Sequence, residues 1–276
     1  MSLPMQPGPP ARSGGRRAIA AAAVLAAVAV AGCSVPGLPS GRSVSPSPAG
    51  STAGSSASSP PPARPDFTIR GSVPVTPTSS QDTHAQSGVT CPPQRLRRYQ
   101  ALGQAAVISF TSTGAPTAAT LLSHFLAGSG AAVRFGARSP VAREVRASRV
   151  FRALNTAVQS GVLTRLRAGQ RHVQLPGGEL AAPRFGSGGS QDLYLGFRGT
   201  QGLTIRGWGT VRHGRYAGHL TYVIRDSYGF SLSDQLGGVG TAMRYLQTAC
   251  GHPPVSGGAH WFPDSVTVTV PFRHRR

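Results

Sequence analysis

Aromatic residues are concentrated in the C-terminal two thirds of this chain, and that distribution limits where a hydrophobic core can form. Of the 18 Phe, Trp and Tyr residues, 17 lie between Tyr99 and Phe272. Residues 34–65 are instead almost wholly Ser, Pro, Gly and Ala. Such a segment buries too little apolar surface to offset the loss of chain entropy on folding. We therefore predict one globular domain at 91–276 behind a disordered linker at 33–90. Phe67–Arg70 also fits a short edge strand, but we assign 66–90 to the linker.

The first 33 residues have the features of an export signal. Arginines precede an apolar run, Ala18–Ala31, that is too short to span a bilayer. These arginines are Arg12, Arg16 and Arg17. The run ends in Val30-Ala31-Gly32-Cys33, which resembles the lipobox of bacterial lipoproteins, although that family prefers Leu at the position of Val30. The alternatives are an uncleaved signal anchor and an ordinary secretory signal.

The lipoprotein resemblance implies both a processing site and a location. A signal peptide at 1–32 would be removed, and a lipid, including palmitate, would be attached to the Cys33 thiol. The mature protein would then be anchored to the cell membrane on its extracytoplasmic face. The Pro-rich linker would act as a semi-extended spacer that holds the domain away from the lipid.

Two further cysteines, Cys91 and Cys250, lie near the ends of the globular region. An even pair in an exported chain favours a disulfide. Such a bond would close a loop of about 160 residues and contribute at most about 5 kcal/mol to stability by the chain-entropy argument. Neither cysteine has a partner at metal-ligand spacing, so we predict no metal and no cofactor.

The charge balance is strongly basic. All 28 basic residues are Arg, against eight Asp plus Glu, and the formal net charge is +20. The choice of Arg over Lys indicates a GC-rich coding bias, as in actinobacteria, but does not explain the scarcity of acids. A field of this sign attracts anionic wall polymers, lipid headgroups or an acidic partner protein. Nucleic acid is not expected outside the cell. The alternative is that these arginines only solvate the surface.

The periodicity of the globular region changes along the chain. Helical spacing is followed by strand alternation, which predicts an α+β fold in which N-terminal helices pack on an antiparallel β-meander with one inserted helix. The predicted helices are Pro92–Phe110 (alternatively a strand at 107–110), Ala118–Ala127 with Thr117 as N-cap, Ser139–Leu166 with a possible break at Gly161, and Val239–Ala249. The predicted strands are Leu193–Phe197, Leu203–Trp208, Tyr216–Asp226 and Ser265–Phe272, with a hairpin loop at His213-Gly214-Arg215.

The C-terminal third also resembles a module found in uncharacterised secreted bacterial proteins. The resemblance is carried by the alternating segment Tyr216–Phe230, which contains the Asp-x-Tyr-x-Phe motif, and by Leu246-Gln247 before Cys250. It covers about Leu193 to Phe272. It implies a strand pair followed by a short helix and implies no activity.

Candidate catalytic residues centre on this motif. Asp226 and Tyr228 follow a strand end, and His219, His213 or His260 are possible partners for acid–base chemistry. A pair drawn from Asp226, Asp234 and Asp264 is a further possibility for glycan cleavage. The competing interpretation is that Asp226 caps a turn while Tyr228 packs in the core. Histidines including His252 lack metal-ligand spacing.

Two other features have both structural and functional interpretations. Trp208 with Arg206, or Trp261 with His260, has the chemistry to stack on sugars, although core packing is the commoner use of Trp. The Gly186–Ser190 stretch is predicted to be a flexible loop and not a phosphate cradle, because a strand is expected after it.

Together these features favour a lipid-anchored envelope protein that binds an anionic component without catalysis. The alternative is an envelope hydrolase acting on peptidoglycan or phospholipid through Asp226 and a histidine. The sequence does not set the oligomeric state.

Overall fold

The computed structural model describes residues 64–76, 90–231, 237–251 and 258–276. All four ranges belong to one compact unit, Pro60–Arg276. The strands are β1 Phe67–Val73, β2 Val133–Phe135, β3 His172–Leu175, β4 Gly202–Arg212, β5 Arg215–Tyr228 and β6 Phe262–Arg275. The helices are α1 Pro93–Ser112, α2 Pro116–Leu126, α3 Pro140–Ala147, α4 Arg149–Arg167, α5 Gln191–Phe197 and α6 Gly237–Thr248.

The six strands form one mixed sheet in the order β2-β6-β5-β4-β1-β3. Its centre is the predicted antiparallel meander of β4, β5 and β6, with α6 inserted between the last two. The sheet is mixed because β2 pairs with β6, and β1 with β3, in parallel. The α+β class is confirmed, and the purely antiparallel sheet is only partly matched.

Strand β1 is an internal strand, so assigning Phe67–Val73 to the linker was wrong. It lies between β4 and β3, and Phe67 and Ile69 are each 1% exposed. The Phe67 ring occupies the space above Gly209, where a Cβ would lie 2.3 Å from the ring. A side chain at position 209 would therefore displace this part of the core.

The helices pack on one face of the sheet. Alternate residues along β5 and β6 are buried against them, whereas the intervening residues are more exposed, as the two-residue period of a strand requires. The buried positions on these two strands include Leu220, Tyr222, Ile224, Val266, Val268 and Phe272. The opposite face of the sheet, here called the outer face, carries the intervening residues.

Local capping accounts for most of the corrected element boundaries. The segment predicted as the strand Leu193–Phe197 is helix α5, which is capped by Ser190. Thr117 is not an N-cap, because α2 begins at Pro116 and the Asp192 carboxylate accepts hydrogen bonds from the Thr117 and Ala118 amides at 3.1 and 2.8 Å. A capping residue contributed by another helix is not visible in a local pattern.

The long helix predicted from Ser139 is two helices. The break falls at Ser148, whose hydroxyl accepts from the Phe151 amide and so begins α4. Gly161 lies inside α4 and does not interrupt it. Residues 107–110, for which a strand was the alternative, belong to helix α1.

The predicted disulfide between Cys91 and Cys250 is confirmed, with a Cα–Cα distance of 5.2 Å. It joins Cys91, two residues before α1, to Cys250, two residues after α6, and these two helices also pack together.

None of the described helices is long and apolar enough to cross a membrane. The apolar run Ala18–Ala31 and the predicted lipidation site Cys33 lie outside the described residues.

Candidate functional site

The register of β5 and β6 places Asp226 directly opposite Asp264. Opposed residues in an antiparallel pair point to the same face, with their Cβ atoms about 5 Å apart. Here that face is the one packed against the helices, so both carboxyl groups are buried, with 6% and 3% of their residue surfaces exposed. Of the three aspartates considered from the sequence as an acid–base pair, the structure brings Asp226 and Asp264 together, while Asp234 lies outside the described residues.

The two carboxyl groups have different surroundings. Asp226 accepts hydrogen bonds from the backbone amides of Ser227, at 2.8 Å, and Gly199. Asp264 has no hydrogen-bond partner for either oxygen among the described residues. A buried carboxylate without donors is costly, so the proton of the pair belongs on Asp264.

Burial raises the pKa of both groups. The pKa of Asp226 rises to about 7 because desolvation outweighs the two amide donors and the nearby Arg198 guanidinium. Desolvation and the charge of Asp226 together hold the pKa of Asp264 well above its ordinary value. At neutral pH the pair therefore retains at least one proton.

Aromatic rings surround this pair. The Tyr228 ring stacks on Phe262 with centroids 5.5 Å apart and also contacts Phe125 edge-on. Burial and the charge of Asp264 raise the pKa of the Tyr228 phenol. This environment matches the packing role weighed for Tyr228 from the sequence, and Asp226 holds two backbone amides as a turn-capping residue would.

The structure does not bring Asp226 together with His219 or His213. His219 lies on the outer face, because odd-numbered residues of β5 point away from the helices. His213 is in the β4–β5 turn, at the opposite end of β5 from Asp226, and has a positive φ of 48° there. The third candidate, His260, precedes β6 near Gly128. His252 lies outside the described residues.

The outer face of the sheet carries a second candidate site, a groove of about 1050 Å³. It is built from matching positions on neighbouring strands. One row across the sheet is His172, Thr68, Trp208 and His219, and the next is Gln174, Arg70, Arg206 and Thr221. Arg64, just before β1, also lines the groove.

Arg70 and Arg206 lie directly opposite each other in this groove. Like charges in that position destabilise a strand pair. Neither guanidinium has a hydrogen bond or ion pair among the described residues, whose single salt bridge joins Arg165 to Glu179 elsewhere. Two opposed and unpaired arginines are a ready site for an anion.

The whole outer face shares this charge. Its outward strand positions include eight arginines and no Asp or Glu, counted over the six described strands. The eight are Arg70, Arg134, Arg206, Arg212, Arg215, Arg225, Arg273 and Arg275. Arg212, Arg215 and Arg275 form a second row of directly opposed cations. The remaining positions are mostly small and polar.

Sequence reasoning named Arg206 and Trp208 but missed Arg70. Arg70 was placed in the linker, and only the pairing of β1 with β4 brings it beside Arg206. A usable signal was present in the alternation of Phe67 and Ile69 with polar neighbours, which is the two-residue period of a strand.

A smaller cavity of about 450 Å³ lies beside the Gly186–Ser190 loop. The prediction that a strand follows this loop was wrong, because the loop is followed by helix α5, whose N-cap is Ser190. The Ser190 hydroxyl donates a hydrogen bond to the Glu144 carboxylate. The cavity lining is mainly apolar, with Val150, Phe185 and Leu193 among its residues.

No group of three or more His, Cys, Asp or Glu residues in the described part of the chain is placed to hold a metal ion. Comparisons of the chain with protein-family models, with curated proteins and with solved structures find no match.

Proposed function

We propose that this protein binds an anionic component of the cell envelope through the outer face of its sheet, as the non-catalytic domain of a lipid-anchored protein. The observation that carries this proposal is the opposition of Arg70 and Arg206 across β1 and β4, in a groove whose described strands contribute no carboxylate. Like charges directly opposed across a strand pair destabilise it, and a bound anion would offset that repulsion.

The lipid anchor predicted at Cys33 supports this function by location. A chain fastened to the outer side of the membrane meets wall polymers and lipid headgroups, both rich in phosphate. The groove belongs to the compact unit Pro60–Arg276, so the part of the predicted linker that precedes this unit would act as a spacer and give the groove reach. Long-range attraction by the arginine field would speed encounter, and charge-assisted hydrogen bonds would hold the ligand.

The direct test is binding of sodium polyphosphate to the full chain carrying Cys33→Ser, which removes the lipid attachment site from every sample. Arg70→Gln with Arg206→Gln should weaken binding about tenfold or more, because two charge-assisted contacts are lost. Each change also removes a like-charge contact, so stability should be unchanged or slightly higher.

The matched control removes two exposed arginines from α1, as Arg97→Gln with Arg98→Gln. It changes the net charge equally but leaves the groove intact, so its affinity for polyphosphate should stay within about twofold of that of the parent chain. Equal weakening by the two double variants would show that only overall charge matters and would contradict the proposal.

The second candidate function is an envelope hydrolase, and the Asp226–Asp264 pair is the observation that favours it. Carboxyl groups with raised pKa are the usual acids and bases of hydrolysis. Turnover of peptidoglycan fragments or phospholipid that is lost in Asp264→Asn, with folding intact, would support an enzyme. Turnover by the parent chain no greater than that of the variant would exclude this use of the pair.

A further inference from the structure

Trp208 is a large apolar side chain exposed on the outer face. It is 56% exposed and lines the groove beside the arginine pair. It lies two residues from Arg206 on β4, and residues two apart on a strand point to the same side with a spacing of about 7 Å. The indole ring and the arginine pair therefore face one ligand-sized space.

The surroundings of Trp208 are polar. Its ring contacts His219, with centroids 5.9 Å apart. Thr68 lies opposite Trp208 and Thr221 lies opposite Arg206, and the Thr68 hydroxyl is hydrogen-bonded to His172 at 2.9 Å. An aromatic ring bordered by hydroxyl and imidazole groups suits a ligand whose ring has an apolar face and polar edges, which is the character of a sugar.

The arginine pair selects the type of anion. One guanidinium satisfies a carboxylate through two parallel hydrogen bonds, whereas a phosphate offers further oxygens to a second guanidinium. Because Arg70 and Arg206 are opposed in register, both reach one bound group. The pair therefore favours phosphate over carboxylate.

Extending the proposed function, on which this step rests, we propose that the groove recognises a phosphate-bearing glycan. A sugar ring stacks on Trp208, and a phosphate attached to the glycan binds between Arg70 and Arg206. A lipid surface is the less suitable ligand, because Trp208 is the only large hydrophobic side chain exposed on the described strands of the groove. The other described exposed ones are Val75, Leu102, Ile108 and Val150.

The test compares four probes on the full chain carrying Cys33→Ser: phosphorylated dextran, neutral dextran, sodium polyphosphate and phosphatidylglycerol vesicles. Trp208→Ala should weaken binding of phosphorylated dextran about tenfold, since the stacking contact is lost. Binding of polyphosphate should change less than about twofold. Trp208→Phe keeps a ring and should recover part of the affinity for phosphorylated dextran, which a merely misfolded variant would not.

Each outcome bears on one of the two proposals. Equal effects of Trp208→Ala on phosphorylated dextran and polyphosphate would overturn the glycan assignment and leave anion binding in place. Tighter binding to the vesicles than to phosphorylated dextran, with the same dependence on Trp208, would overturn it in favour of a lipid surface. If the variant with Arg70→Gln and Arg206→Gln bound polyphosphate as tightly as the parent chain does, that result would instead overturn the proposed function.

Discussion

Individual residues of this protein take their roles from strand register. Asp226 and Asp264 are distant in sequence, and β5 and β6 place them opposite each other in the core. Burial there raises the pKa of both carboxyl groups. Asp226 has backbone donors and Asp264 has none among the described residues. The sequence names the aspartates but not which two would meet, because Asp234 was an equal candidate on spacing alone.

The Asp226–Asp264 pair predicts a pH-dependent stability. The pKa of each carboxyl group is higher in the folded than in the unfolded protein, where it is near 4, so folding favours the protonated form. This contribution to stability is fully present below pH about 4. It is lost as the pH rises through about 7, the folded pKa of Asp226, and beyond it as Asp264 ionises.

Replacing Asp264 by Asn tests this directly. The amide has nearly the same shape and stays neutral, so it removes the buried charge that has no donor among the described residues. Asp264→Asn should raise the free energy of unfolding at pH 8 by about 1–3 kcal/mol and flatten its decline between pH 5 and 8. Denaturant unfolding across that range gives the comparison. An unchanged decline would mean that the pair does not hold a shared proton.

At the level of elements, β1 shows what local sequence patterns miss. The seven residues of β1 follow a low-complexity stretch and carry only two large apolar side chains that are buried, Phe67 and Ile69. The strand is stabilised by pairing with β4 and β3, whose sequences lie more than 90 residues away. Such long-range pairing overrides local propensity.

Substitution of Ile69 distinguishes a core strand from a linker. Ile69→Asp places a charge in the core and should cost more than about 4 kcal/mol of stability. Ser72→Asp on the same strand is exposed on the basic outer face and should change stability by less than about 1 kcal/mol. Thermal or denaturant unfolding of both variants decides between the two assignments, and equally mild effects would return 64–76 to the linker.

The meander was predictable because its alternating strands and its hairpin turn are each encoded in a short stretch of sequence. Strands β4 and β5 alternate clearly and are joined by the predicted turn, in which His213 and Gly214 both have positive φ. Positive φ at both central positions is the geometry of a type I′ hairpin. Helix α5 was mistaken for a strand because Leu193–Phe197 is short and mostly apolar, and such runs fit either period.

At the scale of the whole molecule, the two faces of the sheet differ in burial and in charge. The helix face carries the core and the buried carboxyl pair, and the outer face carries eight arginines and no acidic residue on the described strands. The excess of positive charge is visible in the sequence, and the anionic class of ligand inferred from it stays a prediction. It did not predict the groove, because Arg70 and Arg206 lie 136 positions apart and meet only through sheet topology.

The Cys91–Cys250 disulfide contributes to stability at the level of the whole chain. Its sequence separation is 159 residues, so it restricts the unfolded chain strongly. Replacing both cysteines by Ala should lower the free energy of unfolding by about 2–5 kcal/mol. The groove lies on the sheet and not at the α1 and α6 ends that the bond joins, so polyphosphate affinity at low temperature should be preserved. A loss of affinity in a folded double variant would contradict this separation.

The salt dependence of polyphosphate binding tests the central claim most directly. Binding to a polyanion releases condensed counterions, so the slope of log affinity against log salt concentration reports the number of phosphates that the protein neutralises. The parent groove should show a steep negative slope. Arg70→Gln with Arg206→Gln should reduce its magnitude by about two, while Arg97→Gln with Arg98→Gln leaves it nearly unchanged. A slope that is near zero in the parent chain, or identical in all three proteins, would contradict the assignment of the outer face as the binding surface.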